Sequence, residues 1–233
     1  MNQLPMNQLQ TQLTKNEWTL LVSLPKNDLE LARVALDSGA QGLKVHINVE
    51  HFASGTRFGT LAQEREILAQ ITALAREFSA SVGIVPGTLD NFASRQDFRE
   101  LAQIGIDYFD AYPADAPAWT LSQTDLSVMM AAFHGGDLDE FAHIETLGMT
   151  LCEASILHHD DYGKSLSALD LMKYRALSQK IKVPFIVPSQ KKIAPHDVPA
   201  LKETGAKGLL IGAIVTGRDA KSLESATRAF SNR

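Results

Sequence analysis

Apolar runs alternate with amphipathic segments along almost the whole chain, and this rhythm restricts the fold more than any other feature. Eight compact apolar runs, at about 18–24, 41–47, 81–86, 107–112, 126–133, 149–156, 184–188 and 207–212, have strand length. The intervals between them are long enough for helices. A sandwich of short strands leaves no room for such intervals, whereas repeated β/α units need them. The junctions repeat as well. Helical patterns end at Ser38-Gly39, Ile104-Gly105, Leu147-Gly148 and Thr204-Gly205, and a strand begins soon afterwards. Glycine just past a helix end accepts the left-handed conformation that lets a short loop turn straight into a strand. Asn27-Asp28 and Asp97 supply opening signals for two of the helices.

Eight β/α units without a break in composition predict an α/β fold, a single (β/α)8 barrel over residues 16–233. The alternative is a doubly wound open sheet. Against it, the first strand leads into Ser23-Leu-Pro-Lys-Asn-Asp28, with no glycine-rich dinucleotide fingerprint. Residues 1–15, rich in Gln and Asn and carrying Met-Asn-Gln-Leu twice, at 1–4 and 6–9, read as a flexible N-terminal extension.

Strand parity then picks out candidate chemistry. In Gln41-Gly-Leu-Lys-Val-His-Ile47, Lys44 and His46 point to one face while Leu43, Val45 and Ile47 point to the other. Asp110 and Tyr112 share a parity in Tyr108-Phe-Asp-Ala-Tyr112, as do Glu153 and Ser155 in Leu151-Cys-Glu-Ala-Ser155. Several strands thus deliver polar groups to a common interior, as a parallel barrel allows. A lysine inside a barrel needs a carboxylate partner or a lowered pKa, and Asp110 or Glu153 is placed to pair with it. At the C-terminal end of a strand it can bind substrate, stabilise an enolate or form a Schiff base, and spacing alone does not separate these roles. His46 is the natural proton carrier, because a modest shift from an ordinary pKa of about 6.5 keeps it near neutrality. Lys44, His46, Asp110 and Glu153 are the catalytic candidates.

The last unit, Gly205-Ala-Lys-Gly-Leu-Leu-Ile-Gly-Ala-Ile-Val-Thr-Gly217, resembles the eighth strand and following helical turn of the phosphate-binding TIM barrels of the ribulose-phosphate-binding superfamily. That group includes phosphosugar epimerases, isomerases, synthases and decarboxylases. The resemblance implies that small residues let backbone N–H groups approach a phosphate at a helix N-terminus, which points to Gly212 and Thr216. After the seventh strand this chain has Pro188-Ser-Gln-Lys-Lys192 in place of the usual glycines, so Ser189, Gln190 and Lys191 are expected to bind an anion through side chains. The polar excursion 48–59, with His51 and Arg57, is long enough to close over a ligand, with Arg57 reaching an anionic group.

Other readings carry less. The loop His158-His-Asp-Asp-Tyr-Gly-Lys-Ser165 is dense in ionisable groups, and with His46 and His134 it raises a divalent metal as an alternative, although no established ligand spacing is present. No cofactor is required by the pattern. Gly163-Lys-Ser165 lacks the earlier glycine of a P-loop, so nucleotide binding by that route is rejected. Cys152 lies in an apolar strand pattern and reads as a small core residue. A net charge of −5 gives no reason to expect a nucleic-acid partner. The absence of a signal-peptide pattern or a spanning apolar run makes a soluble cytoplasmic protein the expectation, with no membrane partner; a homo-oligomer is compatible with it.

The expected function is therefore that of a small-molecule enzyme acting on a phosphorylated sugar or related carbonyl compound. The reaction is proton transfer next to a carbonyl, as in an isomerase or epimerase, or carbon–carbon cleavage, as in an aldolase or lyase. The rival readings are a metal-dependent lyase or epimerase and a non-catalytic barrel that binds a phosphorylated metabolite.

Overall fold

The computed structural model describes residues 7–231. Eight parallel strands close into a barrel: β1 (Thr19–Ser23), β2 (Gly42–His46), β5 (Ser81–Val85), β6 (Tyr108–Ala111), β7 (Ser127–Phe133), β8 (Leu151–Ser155), β9 (Phe185–Pro188) and β10 (Gly208–Ile211), with β10 pairing back onto β1. Each falls within the corresponding apolar run of the sequence. The two remaining strands, β3 (Glu50–His51) and β4 (Thr56–Arg57), form a small antiparallel hairpin inside the loop that follows β2. Helices α2 (Leu29–Asp37), α3 (Leu61–Glu77), α4 (Arg95–Ile104), α6 (Ala168–Lys180), α7 (Val198–Glu203) and α9 (Ala220–Ser231) are the main helices between and after the barrel strands. The short helices α5 (Leu138–Phe141) and α8 (Ala213–Thr216) follow β7 and β10.

Local chemistry accounts for these boundaries. The Asp28 carboxylate accepts from the Leu31 N–H at 3.0 Å and caps α2. At α4, Ser94 is the cap and Asp97 reaches back to the Ser94 N–H at 2.7 Å, a reciprocal capping box. Gly39 and Gly105, beyond the ends of α2 and at the end of α4, both stand at φ 101°, a conformation costly for any residue with a Cβ.

The barrel sorts its side chains by parity. Leu20, Val22, Leu43, Val45, Ile84, Phe109, Cys152 and Val187 face outward into the layer shared with the helices. A second, smaller cluster fills the interior: Leu21, Tyr108, Met129, Leu151, Ile186 and Leu210, joined by Leu9 and Leu13. Cys152 is fully buried in the outer layer, and that burial pushes its thiol up to about 12, as expected of a core residue rather than a nucleophile.

Leu9 and Leu13 belong to α1 (Gln8–Lys15), so part of the segment read as a flexible extension is structured. Its apolar residues stand four apart and form one stripe, and Asn7 caps the helix through a box with Gln10. Gln12 donates to the Gln41 carbonyl and Gln8 to the Ser79 carbonyl, both at 2.8 Å, anchoring the helix to the chain just before β2 and β5. With both leucines buried in the interior cluster, α1 stoppers the end of the barrel where the strands begin. The first Met-Asn-Gln-Leu copy lies outside the described residues.

Candidate functional site

At the other end the interior changes character. Lys44 Nζ stands 2.5 Å from Asp110 Oδ2 and 2.6 Å from Glu153 Oε2, bringing β2, β6 and β8 together across the barrel. The intervening strands make space for this, since β5 contributes Gly83 and β7 contributes Ala131 at neighbouring positions. Beneath lies the ring of Tyr108; a Cβ on Gly83 would fall 2.1 Å from its Cζ, so glycine is required for the ring to lie there. The three charged side chains are at most 9% exposed.

One ammonium cannot neutralise two buried carboxylates. Burial by itself lowers the Lys44 pKa, but Asp110 and then Glu153 more than reverse this and raise it above the ordinary lysine value. Lys44 is therefore held as an ion-paired ammonium between the two carboxyl groups. Burial, followed by the charge on Asp110, pushes Glu153 up to about 8 despite the pull of Lys44. Burial and Asp110 thus favour the protonated form of Glu153. The second oxygen of Asp110, Oδ1, is buried without a hydrogen-bond partner.

His46 lies one interior position further along β2 and is 1% exposed, its ring against His51 and Phe58 with centroids at 4.5 and 4.7 Å. Burial, then His51, then Lys44 hold its pKa well below the ordinary value. A cationic ring buried near an ammonium is doubly disfavoured, so the surroundings favour the neutral form of His46 where the sequence suggested an imidazole tuned near neutrality. His51 is lowered to about 4, by burial and by Lys44, and its Nδ1 meets Ser54 Oγ at 2.8 Å.

These groups line a cavity of about 270 Å³ at the C-terminal ends of the strands. Asp110, Glu153, Ser189, Gln190 and Gly212 also line it. Ser189 Oγ accepts from the Gly212 N–H at 2.8 Å, tying β9 to β10 at the rim. Gln190 is occupied by the protein: Oε1 accepts from the Leu157 N–H at 3.1 Å, while Nε2 donates to the Ser155 and Leu157 carbonyls at 3.2 Å and to the Tyr162 hydroxyl at 2.7 Å. Three of the residues expected to contact an anion are not among those lining the cavity. Lys191 is buried with Nζ 3.4 Å from Asp170 and 3.9 Å from Asp161. Thr216 is buried and donates to the Gly217 carbonyl at 3.0 Å. Arg57 sits exposed on β4, the outer strand of the hairpin pair.

Sequence reasoning passed over several lining residues. Tyr112 and Ser155 stand one interior position above Asp110 and Glu153, and their hydroxyls meet at 3.0 Å. Their shared parity was the available signal. Phe52, at the hairpin tip and 70% exposed, stacks on His159 with centroids at 5.4 Å and meets Tyr162 edge-on at 5.8 Å. The hairpin thus touches the loop after β8 across the mouth, a contact between loops that no local pattern announces. Its neck is closed by the Asn48 N–H on the Gly59 carbonyl and the Phe58 N–H on the Val49 carbonyl, both at 2.8 Å.

Among the described residues no group of three or more His, Cys, Asp and Glu side chains is arranged to hold a metal ion. His134 and His158 do meet, edge to face at 4.8 Å. No helix among the described residues is long and apolar enough to cross a membrane.

No protein-family model matches the chain, and comparison with curated protein sequences gives no match. Solved structures do match over nearly the full length. Thiamine phosphate pyrophosphorylase from Pyrococcus furiosus superposes with a TM-score of 0.68 at 17% identity, covering 96% of each chain. KGPDC from Streptococcus mutans, solved in complex with D-R5P, gives 0.68 at 14% identity over 93% of this chain and 97% of its own. A 3-hexulose-6-phosphate synthase gives 0.63 at 18% identity over 92% and 98%. At these identities the likeness is one of fold. The chain is a single (β/α)8 TIM barrel, and its resemblance to the phosphate-binding barrels holds at that level.

Proposed function

We propose that this protein is an enzyme acting on a phosphorylated sugar or related carbonyl compound, by proton transfer next to the carbonyl or by carbon–carbon bond cleavage. The observation that carries the reading is the buried Lys44–Asp110–Glu153 cluster at the floor of a cavity on the face where barrel loops gather. Both reaction types pass through negative charge developing on a carbonyl oxygen. A buried ammonium already held in place stabilises such an oxygen without reorganising, and a site screened from water strengthens the effect. Lys44 serves that role, the Asp110 carboxylate, whose Oδ1 has no partner, takes the proton next to the carbonyl, and Glu153, whose burial favours its protonated form, returns one to the carbon or oxygen. His46, with both ring nitrogens buried and without partners, forms part of the wall.

The phosphate belongs at the opposite rim. With Lys191 paired to Asp170 and Arg57 outside the cavity lining, neutral donors carry the binding: the Ser189 hydroxyl and the backbone N–H groups of Ala213 and Ile214, which lack acceptors within α8. The names of the fold neighbours, a thiamine phosphate pyrophosphorylase and a hexulose-6-phosphate synthase among them, support a phosphorylated substrate.

The test is exchange in heavy water. A panel of phosphorylated ketoses and aldoses is incubated with the protein, and proton spectra are followed for loss of the signal next to the carbonyl or for cleavage products. Lys44→Met and Glu153→Gln are expected to lower the rate by about a hundredfold or more. Equal rates in Lys44→Met and the parent would refute the reading. Tight binding of a panel member without any exchange or cleavage would instead support the non-catalytic binding barrel.

A further inference from the structure

The hydroxyl groups above the charged cluster keep hydrogens that the protein does not use. Gln190 fixes the first of them. Its Oε1 accepts from the Leu157 N–H, and its Nε2 faces the carbonyls of Ser155 and Leu157. Turning the amide over would set N–H against N–H and carbonyl against two carbonyls, so its orientation is fixed. The Tyr162 oxygen, 2.7 Å from Nε2, therefore accepts, and its own hydrogen is left to donate. Beside it the hydroxyls of Ser155 and Tyr112 stand 3.0 Å from each other.

Counting hydrogens gives the consequence. The Tyr112–Ser155 contact uses one of that pair's two hydrogens and Tyr162 keeps its own, so two O–H hydrogens have no acceptor among the described residues. Tyr112, Ser155 and Tyr162 all line the cavity. These hydroxyls therefore present donors to the cavity, and they suit a ligand atom that only accepts.

We propose that Tyr112, Ser155 and Tyr162 are specificity-determining residues that bind a hydrogen-free oxygen of the substrate, a second carbonyl or a carboxylate, one side-chain layer above Lys44. This deepens the reading of the cavity as a substrate site and rests on it. The substrate class narrows to oxo acids and dicarbonyl compounds, in which Lys44 takes one oxygen and these hydroxyls another. A compound with a hydroxyl in the second position places hydrogen against hydrogen, or must turn to offer a lone pair, and binds less well.

The chain has four tyrosines, so 3-fluorotyrosine labelling gives four fluorine signals, assigned with single Tyr→Phe variants. The labelled protein is titrated with pyruvate and 3-phosphohydroxypyruvate, which carry carbonyl and carboxylate oxygens, and with glycerol and glycerol 3-phosphate, which carry hydroxyls. The Tyr112 and Tyr162 signals are expected to move with the first pair and stay in place with the second. Tyr112→Phe and Ser155→Ala, two variants in case one folds poorly, are expected to weaken 3-phosphohydroxypyruvate binding about tenfold and to leave glycerol 3-phosphate unchanged. Still signals with both oxo acids, or unchanged affinity in both folded variants, overturn the proposal. Signals that move with pyruvate while the phosphate adds no affinity keep the donor site and count against a phosphorylated substrate, so the two readings fail separately.

Discussion

The lower and upper halves of the barrel interior are built by the same strands at the same parity, yet they do opposite things. On β6, Tyr108 faces the apolar floor and Asp110, two residues on, faces the cavity; on β8, Leu151 and Glu153 repeat the step. Parity decides which side chains enter the barrel, and depth along the strand decides what they meet there. Below, leucines and methionine meet one another and the stopper helix, and burial of each large side chain contributes roughly 1.5–3 kcal/mol. Above, charges are held largely buried at a cost that the apolar half offsets.

The hardest blow to this contrast is Lys44→Met. Removing the ammonium leaves the Asp110 carboxylate buried beside Glu153 without its counter-charge, and the expected loss is about 3–5 kcal/mol in urea unfolding at neutral pH. A loss under about 1 kcal/mol would mean that the upper half is wetter and looser than its distances indicate. On the lower side, Leu13→Ala should cost about 2–5 kcal/mol by opening a cavity beneath the floor. Turnover per folded molecule should stay at the parent level, and a fall in kcat would show that the halves are not separable.

Glu153→Gln sharpens the comparison through pH. The folded protein keeps the Glu153 proton up to about 8, whereas the ordinary value is 4.5. Between those limits the folded state binds the extra proton, so this group's contribution is whole below pH 4.5 and is lost as pH rises through about 8. His46 and His51 act in the other direction, since their lowered values give a contribution that is lost as pH falls below 6.5. The difference between parent and Glu153→Gln stability curves should accordingly slope across this window. A flat difference from pH 4.5 to 8 would place the raised carboxyl elsewhere. The smallest effect belongs to Arg57→Ala, expected within about 0.5 kcal/mol in stability and twofold in KM for a phosphorylated substrate. A tenfold rise in KM would put the arginine back over the site.

What could be read in the sequence follows the same logic. Strand parity is a reliable guide while the strand lasts, and it brought together Lys44, Asp110 and Glu153 from three separate runs. Beyond the strand end it lapses. Lys191 lies three residues past Pro188, after the chain has turned, and an acidic partner on α6 that is distant in sequence claims it. Thr216 was placed by analogy with a helical turn, and the rotation of that turn buries it. The hairpin of β3 and β4 was hidden because two-residue strands are too short to show alternation. In α1 the spacing of Leu9 and Leu13 was visible, but its significance depended on an open barrel end 29 residues further on at Gln41 and 67 at Ser79, where Gln12 finds its acceptors. His46 shows the other limit. Its face was legible, whereas its protonation depends on His51 and on burial, which only the folded arrangement supplies.

The helix that closes the floor also governs traffic. With that end sealed by leucines, a molecule entering between the hairpin and the loop after β8 must leave by the same route, as must the water it displaces. The vessel has one door. On the proposed reading a product still resting there bars the next arrival, and the contact of Phe52 with His159 lies across its way out.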